Sequence, residues 1–266
     1  MRYNGSMNKS ISLYKDLLIF AKSIREDYLK NVPTFENQFL FGDLNESCYA
    51  KMYEEVKATA QIPTTMELYK EIPGLEEMYK RARRYYLVPR NRSVKGLDVQ
   101  LGNRIDDALI GFLNSMGIKT ERADLKNKRL PDLMVLDKTR NIKAYIEVKY
   151  HNAPFMLAYK LTGREPYEGS VTLDTDKVKR QIVEIESELD RPVFFVHWID
   201  FPDLKGIFFN THEQIKDYLR IDPDQFNRKE RSGDYKVFTK VGYTEKFYPP
   251  LHEMGDLAEL VRMLKD

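Results

Sequence analysis

The chain has 266 residues, 42% hydrophobic and 32% charged, and its 43 Lys and Arg against 41 Asp and Glu leave a formal net charge of +2. That length can bury a large core, as one big domain or two of ordinary size, and apolar runs such as PVFFVHWI are far too short to cross a bilayer. One cysteine, Cys48, excludes an intrachain disulfide and a cysteine-based zinc cluster, so a reducing cytoplasm is the expected location.

Residues 8 to 92 read as helical. SISLYKDLLIFAKSIREDYLK places Leu13, Leu17, Leu18 and Ile24 at helical spacing, with Ser10 or Ser12 as N-cap. No small-residue cleavage site follows this run, so it is not read as a secretion signal. ESCYAKMYEEVKATA and TTMELYKEIPGLEEMYKRARRYYL follow, separated at Pro63, and Pro73-Gly74 interrupts the second. The pattern predicts a helical N-terminal domain over residues 1–95 and a second domain over 96–266, joined at LVPRNRSVKG. Around that joint lie Arg81, Arg83, Arg84, Arg90, Arg92 and Lys95, with no acid between them and with Tyr85 and Tyr86 interleaved. Such a segment suits a DNA backbone, with the tyrosines as stacking surfaces, and suits a solvated helix end equally well.

The pattern then changes. GNRIDDALIGFLNSMG predicts an amphipathic helix opening at Gly102, with Ile105, Leu109, Phe112 and Leu113 on one side and Gly117 as its stop. Strand IKTERAD follows, then two apolar runs, PDLMVLD and IKAYIEVKY, around the polar turn KTRN: a β-hairpin. A long loop over 151–172 leads to helix DTDKVKRQIVEIESEL, strand RPVFFVHWID, short strand GIFFN and helix THEQIKDYL with Thr211 as N-cap. DYKVFTKV reads as a further strand and MGDLAELVRMLK as the last helix. This order predicts an α/β fold, a central mixed sheet flanked by helices.

The hairpin carries the chemistry. Asp132 stands at the mouth of its first run, and Glu147 and Lys149, two apart in the second, share one strand face. Two carboxylates and an ammonium at one end of a sheet can hold a divalent metal beside a polarised water, which is what phosphodiester hydrolysis needs. Taken singly, Asp132 is a strand-start cap after Pro131, and Glu147 with Lys149 is an ion pair on an exposed strand. The continuous apolar hairpin partner argues against a solvated face, where alone such a pair is cheap.

In order and spacing, Asp106, Pro131-Asp132 and Glu147-Val148-Lys149 resemble the PD-(D/E)xK nuclease superfamily, which includes type II restriction endonucleases; the match spans roughly residues 96–220. The resemblance implies a restriction-endonuclease-like core and a catalytic set of Asp132, Glu147, Lys149 and Asp106. It implies Mg²⁺, with Mn²⁺ as substitute, held by Asp132, Glu147, the Val148 carbonyl and Asp106, and products with 5′-phosphate and 3′-hydroxyl ends. Lys177 and Gln181 stand where many members add a supporting polar residue; the alternative is a solvated helix face. Asp106 replaces the commoner glutamate, and Asp107 beside it keeps the identity of the upstream acid open.

The other motifs are negative. His151, His197, His212 and His252 show no zinc spacing; His151 follows the motif strand towards a phosphate, and His197 reads as a core residue. No G-x-S-x-G elbow, P-loop or EF-hand loop occurs, so no nucleotide cofactor is expected. The expected function is therefore a Mg²⁺-dependent endonuclease of double-stranded DNA, a type II restriction enzyme acting as a homodimer away from any membrane. A structure-selective repair or Holliday-junction nuclease and a non-catalytic DNA-binding module are the alternatives.

Overall fold

A computed structural model describes residues 8–29, 34–87, 97–124, 127, 130–221, 227–228, 235–236, 239–240 and 246–266. The N-terminal part is helical: α1 (Lys9–Phe20), α2 (Asp43–Tyr49) running through a π-helical turn at Ala50–Glu54 into α3 (Glu55–Thr59), α4 (Thr65–Glu71) and α5 (Leu75–Leu87). Next come α6 (Leu97–Ser115), β1 (Thr120–Arg122), β2 (Leu133–Leu136), β3 (Ile142–His151), α7 (Ala158–Thr162) and β4 (Leu173–Asp174). α8 (Thr175–Glu184), β5 (Val193–Asp200), β6 (Lys205–Thr211) and α9 (His212–Ile221) follow. The C-terminal part holds the two-residue strands β7 (Asn227–Arg228), β8 (Tyr235–Lys236), β9 (Thr239–Lys240), β10 (Lys246–Phe247) and β11 (Gly255–Asp256), and then α10 (Leu257–Lys265).

The fold is α/β, built on a six-stranded sheet in the order β1-β2-β3-β5-β6-β11. β3 and β5 are parallel and every other neighbouring pair is antiparallel, so the sheet is mixed. Both faces are covered. One carries Ile146, Val148, Phe194, Val196 and Trp198 and packs in one core with Leu13, Tyr14 and Leu17 of α1, Leu109 and Phe112 of α6, and Leu260 of α10. The other carries Tyr145, Val193 and Phe195 beneath Val178 and Ile182 of α8. Two-sided burial explains why VFFVHWID is continuously apolar rather than alternating.

The N-terminal helices share these cores. Besides α1, the helices α2, α4 and α5 pack through Cys48, Leu68 and Met78 against Ile199, Phe201 and Phe208 of the β5–β6 hairpin. Polar groups tie down the hairpin loop: Asn45 Nδ2 donates to the carbonyls of Pro202 (2.9 Å) and Asp203 (2.7 Å), and the Tyr79 hydroxyl donates to Asp203 Oδ2 (2.8 Å). Asp200, fully buried, pairs with Lys205 through one carboxylate oxygen; the other accepts from Tyr150 OH and Phe39 N, each at 2.9 Å. The joint expected near residue 95 lies outside the described residues.

Several local expectations are corrected. Asn8 caps α1, accepting from Ser10 N at 2.7 Å, while the Ser10 hydroxyl accepts from Ala258 N at the start of α10. α6 opens at Leu97, five residues before Gly102, so Asp106 sits within the helix rather than in its first turn. The loop after β3 contains the short α7. DYKVFTKV forms two short strands that pair with each other rather than one, residues 237–238 lying outside the described set. Gly255 and Asp256 are sheet residues paired with Phe209 and Phe208, so the last helix starts at Leu257. A Cβ on Gly255 would overlap the Phe209 ring, which makes glycine necessary there. Thr211 does cap α9: its hydroxyl accepts from Gln214 N at 3.2 Å while Gln214 Oε1 accepts from Thr211 N at 2.9 Å.

Candidate active site

β2 and β3 pair antiparallel with Leu133 opposite Ile146, which sets Asp132 against the Glu147–Val148 stretch. Val148 N donates to Asp132 Oδ2 at 2.7 Å. Along β3 the side chains alternate: Ile146 and Val148 enter the α1/α6 core, and Glu147, Lys149 and His151 take the opposite face. α8 crosses that face and delivers Lys177 and Gln181, one turn apart.

These groups converge on one carboxylate. Glu147 is only 3% exposed, and its Oε1 accepts from Lys149 Nζ and, at 3.0 Å, from Lys177 Nζ. Lys149 Nζ also lies 3.3 Å from the Val148 carbonyl oxygen. Gln181 hydrogen-bonds Glu147, and its buried Oε1 has no partner among the described residues. Burial works to raise the Glu147 pKa, but Lys149 and then Lys177 together outweigh it and hold the carboxyl down at about 2.

Asp132 behaves oppositely. Burial and then the neighbouring Glu147 carboxylate raise its pKa, against Lys149 and the Val148 N–H. Asp106 is raised to about 7, first by burial and then by Asp132, with Arg122 opposing. Arg122, which the sequence reading passed over, bridges both candidates for the upstream acid: Nη1 reaches Asp106 Oδ2 at 2.7 Å and Nη2 reaches Asp107 Oδ1 at 2.5 Å. Asp106 faces inward at 8% exposure, whereas the Asp107 side chain is 68% exposed. The acid pair followed by an arginine on an adjoining strand was the available signal.

Two acids that resist ionisation side by side, and an orphaned buried amide oxygen, are the surroundings a cation relieves. Among the described residues no three of His, Cys, Asp and Glu converge as a ligand set. Mg²⁺ does not demand one, since it binds through one or two carboxylates and keeps waters or phosphate oxygens for its other positions. Asp132, Glu147 and the Val148 carbonyl fit that smaller set. Asp106 is not brought into it; Arg122 engages its Oδ2 instead.

The basic segment is only partly at hand. Arg81 pairs with Glu36 (2.7 Å), Arg83 and Arg84 are exposed, and Arg90, Arg92 and Lys95 lie outside the described residues. Tyr85 and Tyr86 are partly buried with their rings against Phe35, which withdraws them from free stacking duty. The Tyr86 hydroxyl donates to the Asn152 carbonyl (2.8 Å), fixing the end of α5 beside the residue that follows β3. His197 is fully buried and its Nδ1 lies 3.1 Å from His151 Nε2, so His151 turns inward rather than towards a phosphate. Burial, with Lys149 adding, pushes the His151 pKa down to about 3, so that ring is neutral.

Neither a protein-family model nor a curated protein matches the chain, so its chemistry rests on the arrangement above. Among the described residues no helix is long and apolar enough to cross a membrane.

Proposed function

We propose that the protein is a Mg²⁺-dependent DNA endonuclease with a PD-(D/E)xK-type site, a type II restriction enzyme cutting double-stranded DNA to 5′-phosphate and 3′-hydroxyl ends. The observation that carries this reading is the buried Glu147 carboxylate, held between the ammonium groups of Lys149 and Lys177 beside Asp132. An ordinary surface ion pair needs neither that burial nor a second lysine.

Asp132, Glu147 and the Val148 carbonyl would hold the metal. When bound, Mg²⁺ supplies charge neutralisation at the scissile phosphate and acidifies a water. Lys149 would orient that water by donating hydrogen bonds to it from a compact positive charge. Lys177 and Gln181 keep Glu147 ionised and fixed in rotamer, so the carboxylate is ready at neutral pH. Asp106, gripped by Arg122 on the α6 side, feels the Asp132 carboxylate, which helps to raise its pKa. Recognition of a palindromic site by two copies would make the active form a homodimer.

Digestion of a sequenced plasmid with Mg²⁺, followed by run-off mapping of the ends, tests this. Discrete fragments with 5′-phosphates are expected. Cleavage confined to branched or single-stranded DNA would transfer the site to a repair nuclease, and tight DNA binding without any cleavage would replace the enzyme with a binding module.

A further inference from the structure

Away from the acidic site, a cavity of about 620 Å³ opens between α4, α5 and the segment that follows β3. Its volume is that of a small-ligand site, large enough for a nucleotide. Its walls include Met66 and Tyr159, 64% and 66% exposed, so both side chains are open to a ligand. Tyr69 and Met156 add further flat or adaptable surface.

The charges lining the cavity divide unequally. Lys80 pairs with Glu76 at 3.0 Å, and Glu165 Oε2 accepts from both Thr65 N (3.0 Å) and Thr65 Oγ1 (2.5 Å). Arg83 is exposed, lies close enough to Tyr69 to oppose in part the burial and the Glu76 charge that raise that phenol's pKa, and has no ion-pair partner among the described residues. An aromatic and thioether wall with one uncommitted guanidinium suits a planar heterocycle bearing a phosphate. Glu76, Glu165, Thr64 and Thr65 also line the cavity but are engaged with Lys80, with one another and with Glu67, so the wall offers a base its flat faces rather than its polar groups.

Position supplies the rest. Tyr86, one helical turn beyond Arg83 on α5, is bonded to Asn152, and no more than about 10 Å of extended chain separates Asn152 from Lys149. The cavity is thus built partly from the segment leaving the candidate catalytic strand. We infer that it takes a single base, turned out of the DNA bound at the acidic site, with the adjoining phosphate on Arg83. Turning out one base costs its stacking and pairing, which contacts in such a pocket offset. This inference rests on the endonuclease reading for the source of the nucleotide, though not for the capacity of the pocket.

The test uses 2-aminopurine, whose fluorescence responds to stacking, with the intact chain in EDTA. Free 2-aminopurine deoxyribonucleoside 5′-monophosphate probes the pocket alone; a duplex carrying one 2-aminopurine, its position walked along a cleaved fragment, probes delivery from DNA. Expected are saturable fluorescence changes with both probes, and at least tenfold weaker binding of the free probe by Tyr159→Ala and by Arg83→Met. Because Tyr159 and Arg83 are exposed, thermal unfolding midpoints should stay at the wild-type value. No response to the free probe, or one unchanged in both variants, overturns the pocket. A response to the free probe with none from any duplex position overturns its assignment to DNA. Plasmid cleavage with Mg²⁺ is scored separately: its absence counts against the endonuclease reading, while cleavage without either fluorescence response counts against this inference alone.

Discussion

Replacing Asp106 with asparagine should make the metal-free protein more stable at pH 8, and the gain should vanish in acid. Asp106 is raised from 3.8 to about 7, by burial first and by Asp132 second, and its side chain is only 11% exposed. Between those two values the folded chain keeps a proton that the unfolded chain has released. Stability therefore falls as pH rises from about 4 to about 7. Roughly three pKa units at 1.36 kcal/mol each give a span of at most about 4 kcal/mol. The amide of asparagine imitates the protonated acid and has nothing to titrate. Urea unfolding of wild type and Asp106→Asn in EDTA from pH 4 to pH 8 measures the difference directly. It should grow with pH by up to ~4 kcal/mol on top of any constant offset from exchanging the protonated acid for an amide, the pairing with Arg122 being already contained in the raised value. A difference that stays flat would mean that Arg122 keeps Asp106 ionised throughout, and the crowding of carboxylates argued above would fall.

Glu147 predicts the opposite slope, because its pKa is depressed: its contribution is present at neutral pH and lost as acid takes it from about 4.5 through about 2. Glu147→Gln leaves Lys149 and Lys177 facing each other unneutralised, so it should lose about 3 kcal/mol in EDTA at pH 7 and show a flatter acid limb in pH-dependent unfolding. In the buried Asp200–Lys205 pair, Lys205→Met alone should cost about 3–5 kcal/mol in urea unfolding, and adding Asp200→Asn should recover most of it; a double variant as unstable as the single would remove the pair's role. His252 is raised by its hydrogen bond to Glu168, so its contribution is full below about pH 6.5 and lost as pH rises through the higher folded value. An NMR titration should show that elevation in wild type and its disappearance in Glu168→Gln.

The hairpin was legible because both determinants are local. Alternation places Glu147 and Lys149 on one face, and a short polar turn sets the register that brings Asp132 opposite. The turn is further secured by Asp137 Oδ1, which accepts from Thr139 N at 2.8 Å and Asn141 N at 2.9 Å. The start of α6 was misjudged because Gly102 resembles a boundary, yet a glycine inside a helix costs only about 1 kcal/mol, which the packing of Leu109 and Phe112 exceeds. Other features depend on distant partners. The Ser10 hydroxyl is spent on α10, 248 residues away, and Trp198 Nε1 donates to Tyr14 OH at 3.2 Å across 184 residues. No local pattern encodes such contacts. The same limit hid Arg122, whose meaning comes only from β1 lying beside α6.

The most direct measurement is cleavage of supercoiled plasmid by purified protein at pH 8 with Mg²⁺, with EDTA, and with Mg²⁺ after Asp132→Ala. Cleavage in the first condition and its loss in the other two is the predicted result. Intact plasmid across salt and pH, or an Asp132→Ala protein that cleaves as well as wild type, would contradict the account.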